Sequence, residues 1–142
     1  MMRRLLAAVA ILAGVLAVGA RAASAQHFGR NKVQYRAFDF EVIKTAHFDI
    51  YFYPQERQAA LDAARMVERA YARLSRVLQH EFRERKPIIL YASHADFQQT
   101  NALPTFIDES TGGVTEGTKS RVILPFTGSY ADFEHVLTHE LV

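Results

Sequence analysis

Two adjacent residues near the C-terminal end, His139 and Glu140, have the clearest potential for chemistry. Together with Leu141 and Val142 they match the first four positions of the motif H-E-x-x-H, and the residues on both sides are uncharged. In the complete motif two histidines lie one helical turn apart, so that both imidazoles bind one Zn²⁺. The glutamate between them holds the zinc-bound water and takes its proton as general base. The pair therefore points to hydrolysis by a metal-activated water.

A helix must carry this pair. Apolar residues recur at helical spacing from Phe133 to Leu141, and Ser129 or Asp132 is suited to the N-cap. The apolar pattern is still running at Val142, and no stop signal follows it. The sequence therefore predicts that the natural protein continues and that the second histidine of the motif lies after Val142.

One long helix and several short strands precede this segment. An apolar stripe through Val67, Tyr71, Leu74 and Leu78 predicts a helix from about Glu56 to His80. Alternating aromatic and β-branched residues predict strands, and a continuous apolar run predicts one strand that is buried on both faces. These strands cover residues 38–44, 47–53, 87–92, 112–116 and 121–126.

Turn and cap residues join the strands. Lys44–His47 predicts a turn between the first two strands, and Gly117–Ser120 predicts a hairpin turn between the last two. Ser93 or Asp96 is suited to cap a short helix after the buried strand. Pro125 cannot donate to a sheet ladder, which favours an edge position for the strand 121–126.

The fold class that follows is α+β. We expect a small mixed or antiparallel sheet packed on the long helix, with the helix from Asp132 lying across the sheet.

Over residues 33–142 the chain resembles a known family, the peptidase MA-like domain of the gluzincin group, which comprises the thermolysin-like zinc peptidases. More narrowly, it is similar to the version found at the N-terminus of exported bacterial proteins that continue into a TolB-like β-propeller. The residues that carry the resemblance are His47–Pro54, Leu90–Asn101, Gly112–Val114 with Arg121–Phe126, and His135–Val142.

The resemblance implies a zinc metallopeptidase, and a fold in which this chain is a zincin-like N-terminal lobe that ends in a partial active-site helix. His139 would be the first ligand of a Zn²⁺ cofactor and Glu140 the general base, while a second histidine and a downstream glutamate would complete the ligand set after Val142. An edge strand of such enzymes binds the peptide substrate by strand addition. The residues expected to bind the substrate backbone are Arg121, Val122, Ile123 and Leu124. The 142-residue chain would then be an incomplete and inactive peptidase domain, and the alternative is a non-catalytic interaction module beside a propeller.

The N-terminal residues have the layout of a secretory signal peptide. Met1–Arg4 is basic, Leu5–Ala20 carries no charge, and Ala23-Ser24-Ala25 is a small-x-small cleavage site. The apolar run of 16 residues is shorter than the roughly 20 that span a membrane. We expect cleavage after Ala25, export to the periplasm or the extracellular space, and a flexible lead-in over residues 26–37 before the domain at 38–142. An uncleaved anchor is the alternative.

Composition excludes several other classes of function. The chain has 142 residues and no cysteine, so its fold rests on an apolar core without disulfides. The net charge is +2, but three arginines lie in residues 1–25, which contain no acid; residues 26–142 keep 14 basic residues against 15 acidic ones, a net charge of −1. This balance gives no electrostatic reason to expect nucleic acid or stable membrane binding as partners. A peptide or protein substrate and a C-terminal propeller remain the expected partners.

Other titratable residues are weaker candidates. His135 and His139 are four residues apart and could bind zinc as a pair, but that pair lacks the internal base of the motif. His94 with Asp96 is more typical of a capping loop than of a ligand set, and Asp108-Glu109 is more typical of a solvated loop. Two further histidines, His47 at a strand start and His80 at a helix end, are expected to be structural.

Overall fold

The computed structural model describes residues 32–142. The expected signal peptide and the first part of the lead-in lie outside these residues. This part of the chain contains five strands: β1 at Glu41–Lys44, β2 at Phe48–Phe52, β3 at Lys86–Tyr91, β4 at Val114–Glu116 and β5 at Arg121–Pro125. The α-helices within residues 32–142 are α1 at Arg57–Leu78, α2 at His94–Gln98 and α3 at Tyr130–His139, and a 3₁₀ turn at Pro54–Glu56 leads into α1.

The strands form one mixed sheet in the order β1-β2-β3-β5-β4. The central strands β2, β3 and β5 run parallel to one another, and β1 and β4 add to the two sides as antiparallel strands. The predicted α+β class, the strand segments and the long helix are confirmed. The order of the strands in the sheet was not predicted, because no local sequence pattern specifies it.

The first face of the sheet carries the main core. Since side chains alternate along a strand, β2 directs Phe48, Ile50 and Phe52 to this face, β3 directs Ile88 and Leu90, and β5 directs Val122 and Leu124. Both long helices cover it, α1 with a row of small residues and α3 with Phe133 and Leu137. Each fully buried large apolar side chain stabilises the fold by about 1.5–3 kcal/mol.

The second face has its own apolar cluster, built around Tyr53, Tyr91, Phe97 and Ile123. Helix α2 and the loop that follows it cover part of this face, and Phe38 and Phe40 pack on the two tyrosine rings at centroid distances of 5.1–5.9 Å. These two phenylalanines precede β1, so the first strand begins three residues later than the sequence pattern predicts.

Residues 32–37, the described part of the lead-in, contain no helix or strand. The backbone N–H groups of Lys32 and Tyr35 donate to the side chains of Asn101 and Gln99 at 2.7 and 2.9 Å. The lead-in therefore contacts the loop after α2. Among the helices of residues 32–142, none combines the length and the apolar content that a membrane crossing requires.

The expected edge position of the strand 121–126 is wrong. Strand β5 lies inside the sheet, with β3 on one side and β4 on the other, and the edge strand is β4. Pro125 is tolerated there for a geometric reason. The N–H of the next residue, Phe126, donates to the Tyr91 carbonyl of β3 at 2.7 Å, so the nitrogen of Pro125 faces the β4 side. The β4 ladder ends earlier, at the pair Val114–Ile123, and no ladder hydrogen bond is lost.

Small residues on α1 set its distance from the sheet. Ala60 and Ala63 are 0% and 1% exposed and belong to the main core, whereas Ala72 on the same helix is exposed. A larger side chain at Ala60 has no room, because protein interiors are close-packed.

We expect Ala60→Leu to lower the free energy of unfolding by about 1–3 kcal/mol through overpacking. The matched control is Ala72→Leu, which should change it by less than about 0.5 kcal/mol, since leucine and alanine are both good helix formers. Urea unfolding followed by circular dichroism measures both. Equal effects of the two substitutions would contradict the close packing of α1 on the sheet.

A partly buried pair, His47 and Glu68, connects the start of β2 to α1. The backbone N–H of His47 donates to Glu68 Oε1 at 2.9 Å, and His47 Nδ1 lies 2.7 Å from Glu68 Oε2. The His47 ring also lies 4.1 Å from the Tyr71 ring, between centroids. Partial burial acts to raise the pKa of Glu68, but hydrogen bonds from Thr45 and His47 and the charge of His47 outweigh it and hold the pKa below its usual value.

A lowered carboxyl pKa in the folded state stabilises the protein above the unfolded pKa, and this stabilisation is lost as the pH falls through the folded pKa. We therefore expect Glu68→Gln to destabilise the fold by about 1–2 kcal/mol at pH 7, a typical loss for a charge-assisted hydrogen bond. The difference from the unsubstituted protein should shrink progressively below about pH 4. Urea unfolding at several pH values tests this, with the exposed Glu84→Gln as control; a difference independent of pH would show that the charge of Glu68 is not involved.

Candidate functional site

Helix α3 carries both residues of the sequence motif. It starts at Ser129, whose hydroxyl accepts a hydrogen bond from the Asp132 N–H at 3.3 Å, so Ser129 rather than Asp132 is the N-cap. The helix ends at His139, and Glu140 is its C-cap: it keeps right-handed helical backbone angles and its N–H donates to the Val136 carbonyl at 3.0 Å. The predicted helix is confirmed as far as His139, whereas its expected continuation to Val142 is wrong.

The two residues of the pair have different surroundings. The His139 side chain is exposed, as is His135 one turn before it, whereas Glu140 is half-buried against the sheet. Helical spacing explains the difference: Phe133 and Leu137 fix the buried side of α3, and Glu140 follows Leu137 by three residues. The helix thus presents an imidazole to solvent and a carboxylate to the edge of the sheet.

Glu140 contacts the edge strand β4 directly. The Thr115 hydroxyl lies 2.7 Å from the main-chain carbonyl oxygen of Glu140 and 2.7 Å from its carboxylate oxygen Oε2. Thr115 is paired with Val122 of β5, whose side chain belongs to the core under the helices, so the alternation of the sheet places the Thr115 side chain on the same face as α3. No sequence signal marks Thr115, because a threonine in a strand is ordinary and only the register brings it to Glu140.

A glycine permits this close approach. A Cβ atom on Gly113 would lie 2.9 Å from Val136 Cγ1, 3.2 Å from Glu140 Cγ and 3.3 Å from Leu124 Cβ. A Cβ atom has no room at that position, and valine cannot readily turn away because its χ1 rotamer in a helix is nearly fixed. The absent side chain therefore allows α3 to lie against the end of β4, which is where Glu140 meets Thr115.

The four residues expected to bind substrate lie in β5. Val122, Ile123 and Leu124 are buried, and Arg121 is held by its own contacts: its Nε donates to Glu116 Oε2 at 3.0 Å and its guanidinium donates to the Ala102 carbonyl at 3.1 Å. β5 is paired on both sides at residues 122–123, with β3 on one side and β4 on the other. Strand addition of a peptide needs an edge strand, and on this side of the sheet the edge strand is β4.

The zinc site that the sequence suggests is not complete among residues 32–142. His139 is exposed and could act as a ligand, and His135 lies on the preceding turn of the same helix. No group of three or more His, Asp or Glu side chains that could hold a metal ion occurs within the described part of the chain. A catalytic zinc site takes three protein ligands and a water, so the side chains of residues 32–142 do not by themselves supply the ligands of such a site.

The other candidate residues have structural surroundings. His94 Nε2 lies 3.1 Å from the Thr111 carbonyl oxygen, and the Ser93 hydroxyl, rather than Asp96, caps α2 by accepting the Asp96 N–H at 3.2 Å. The buried Asp96 carboxylate faces Arg36 at 3.5 Å. Asp108 accepts hydrogen bonds from two neighbouring residues of its own loop, Ser110 and Thr111, and the hydrogen bonds from Ser110 hold its pKa below the usual value.

Comparisons with protein-family models, with curated proteins and with solved structures found no match to this chain.

The close approach of α3 to Gly113 leads to a testable prediction. Gly113→Ala should lower the free energy of unfolding by about 1–3 kcal/mol, because the added methyl group displaces α3 from the strand. The matched control is Gly117→Ala in the β4–β5 turn, where an added Cβ meets nothing within 4 Å. That substitution should be neutral or stabilising by up to about 1 kcal/mol, since alanine restricts the unfolded chain.

Thermal and urea unfolding measure the two effects, and the expected result is a loss of stability for Gly113→Ala and no loss for Gly117→Ala. If Gly113→Ala were as mild as Gly117→Ala, the close contact between α3 and β4 would be incorrect.

Proposed function

We propose that this domain is the N-terminal part of an exported zinc metallopeptidase, with Glu140 as the general base. The observation that carries the proposal is the hydrogen bond between Glu140 and Thr115: the residue that the motif selects as base lies beside the edge strand of the sheet. An edge strand is where an extended peptide adds by main-chain hydrogen bonds. Base and peptide-binding strand are thus adjacent.

The peptide-binding strand in this proposal is β4, in place of the β5 residues that the sequence suggested. β4 has one hydrogen-bonded neighbour, β5, and its opposite edge is not paired with any strand of residues 32–142. A peptide laid along Val114–Glu116 would pass next to the Glu140 carboxylate, because Thr115 is in the middle of the strand. A scissile carbonyl near Thr115 would then be within reach of a water held by Glu140.

In this reaction Glu140 removes a proton from the attacking water and later gives it to the leaving amine. His139 would hold the metal, together with two ligands that the resemblance places after Val142. When bound, Zn²⁺ would polarise the scissile carbonyl and lower the pKa of water. The export of the protein, its cleavage after Ala25 and a following propeller domain belong to the same proposal and rest on the sequence alone.

A second function uses the same edge without chemistry. An open strand beside a helix can bind a peptide as an interaction module, and fold alone does not distinguish this from catalysis. The observation that favours it is the open edge of β4, which can bind an extended peptide by main-chain hydrogen bonds alone. The two functions differ in what happens to the bound peptide, and so one experiment separates them.

The test uses the protein extended by whatever sequence follows Val142 in its gene. Glu140→Gln should reduce hydrolysis of casein or a peptide by about 100-fold or more, a typical effect of removing a general base. Zinc binding should be retained, because the base is not a ligand, whereas His139→Ala should weaken it strongly. Metal content after dialysis and hydrolysis rates are the two measurements, and Glu109→Gln in an exposed loop is the control.

The 142-residue chain itself should bind zinc weakly, since it supplies one or two of the three ligands. Tight one-to-one zinc binding by this chain would contradict the assignment of ligands. Full activity of the Glu140→Gln protein would contradict the mechanism, and peptide binding without hydrolysis by the extended protein would favour the interaction module.

A further inference from the structure

Glu140 is held at two points on its side chain. Its Cγ packs over Gly113, where a Cβ atom would come within 3.2 Å, and its Oε2 accepts a hydrogen bond from Thr115 at 2.7 Å. A glutamate near the end of an exposed helix face otherwise samples several rotamers, because long charged side chains have high rotamer entropy. The two contacts restrict the carboxylate to the β4 side of the helix.

The Thr115 hydroxyl also reaches the main chain of the same residue. Its oxygen lies 2.7 Å from the Glu140 carbonyl oxygen, so one side chain contacts both the backbone and the carboxylate of Glu140. A hydroxyl has a single proton and can donate to either acceptor. A bond to the carboxylate opposes rotation of the Glu140 side chain, and a bond to the carbonyl opposes movement of α3 along the sheet, so the same atom of β4 can restrain either motion.

From this geometry we propose that Thr115 is the positioning residue for Glu140. The inference rests on the proposed function, since it takes Glu140 to be the base, and it adds a second role for β4. The strand that would set the register of a bound peptide also fixes the carboxylate that acts on it. A base held within about 0.5 Å of its working position is what efficient proton transfer requires.

Threonine suits this task better than serine for a physical reason. Its β-branch restricts χ1 and favours extended backbone, so the hydroxyl direction is largely set by the strand. Serine keeps the hydroxyl with more rotamer freedom, and valine keeps the shape without the hydroxyl. Thr115→Ser and Thr115→Val thus separate the hydrogen bond from the packing.

The first experiment measures coupling without activity. A double-mutant cycle uses the extended protein. Thr115→Val is made in the unsubstituted protein and in the Glu140→Ala protein, and the changes in thermal midpoint are compared. We expect a loss of about 4 °C in the former, the scale of one hydrogen bond in a domain of this size, and less than half of that in the latter. Thr118→Val, an exposed threonine in the β4–β5 turn, should give the same change in both backgrounds.

The second experiment measures hydrolysis by the extended, zinc-loaded protein. Thr115→Val should lower kcat by about tenfold and leave KM within about twofold, since the substrate's main-chain contacts to β4 are unchanged. Thr115→Ser should restore kcat to within about threefold of the original. A purely structural role would lower the amount of folded protein without this split or this rescue.

Each outcome bears on one hypothesis. Equal losses of thermal midpoint in the two Glu140 backgrounds would overturn the positioning role, as would an unchanged kcat in Thr115→Val. If the unsubstituted extended protein hydrolyses no peptide, the proposed peptidase function fails, and the double-mutant cycle still decides whether Thr115 holds the carboxylate.

Discussion

The contact of α3 with the end of β4 depends on the missing side chain at Gly113. Val136, Glu140 and Leu124 surround the space that a Cβ atom would occupy there. Because this space is filled from the helix side, Phe133 and Leu137 reach the main core between α1 and the sheet. The same approach brings Glu140 to Thr115, so the stability of the C-terminal helix and the geometry of the candidate site have one common origin.

One side of α3 therefore packs in the core, and the other side is exposed. Its buried side shares a core with α1, and polar contacts reinforce the pair of helices from outside: Tyr130 donates to Asp62 at 2.9 Å, and Arg69 donates to Glu134 at 3.2 Å. The latter pair is largely exposed and contributes little, as surface ion pairs generally do. Apolar packing therefore holds the helix, which leaves His135 and His139 free on its exposed side.

The sheet separates the candidate site from a second apolar layer. Tyr53 and Tyr91 lie on the face away from the long helices, with the segment before β1 packed over them. Burial raises the pKa of both phenols, and the nearby Asp96 acts in the same direction. These groups remain neutral at ordinary pH and serve packing, whereas the partly exposed edge near Glu140 keeps a carboxylate within reach of solvent.

Local pattern determined much of this protein: the long helix from its apolar stripe, the strands from their alternation, the hairpin turn, and the helix under His139 and Glu140. These features, with the last helix ending at His139 and Glu140 at its C-cap, depend on neighbours within a few residues, which is the range that periodicity and capping describe. The edge position predicted from Pro125 was wrong because the sequence shows only that proline lacks an N–H. It does not show which way the proline nitrogen faces or where the adjacent ladder ends. Only the tertiary structure decided that β4 is the edge and that Thr115 meets Glu140, because strand order and register are set by contacts between segments 25 residues apart.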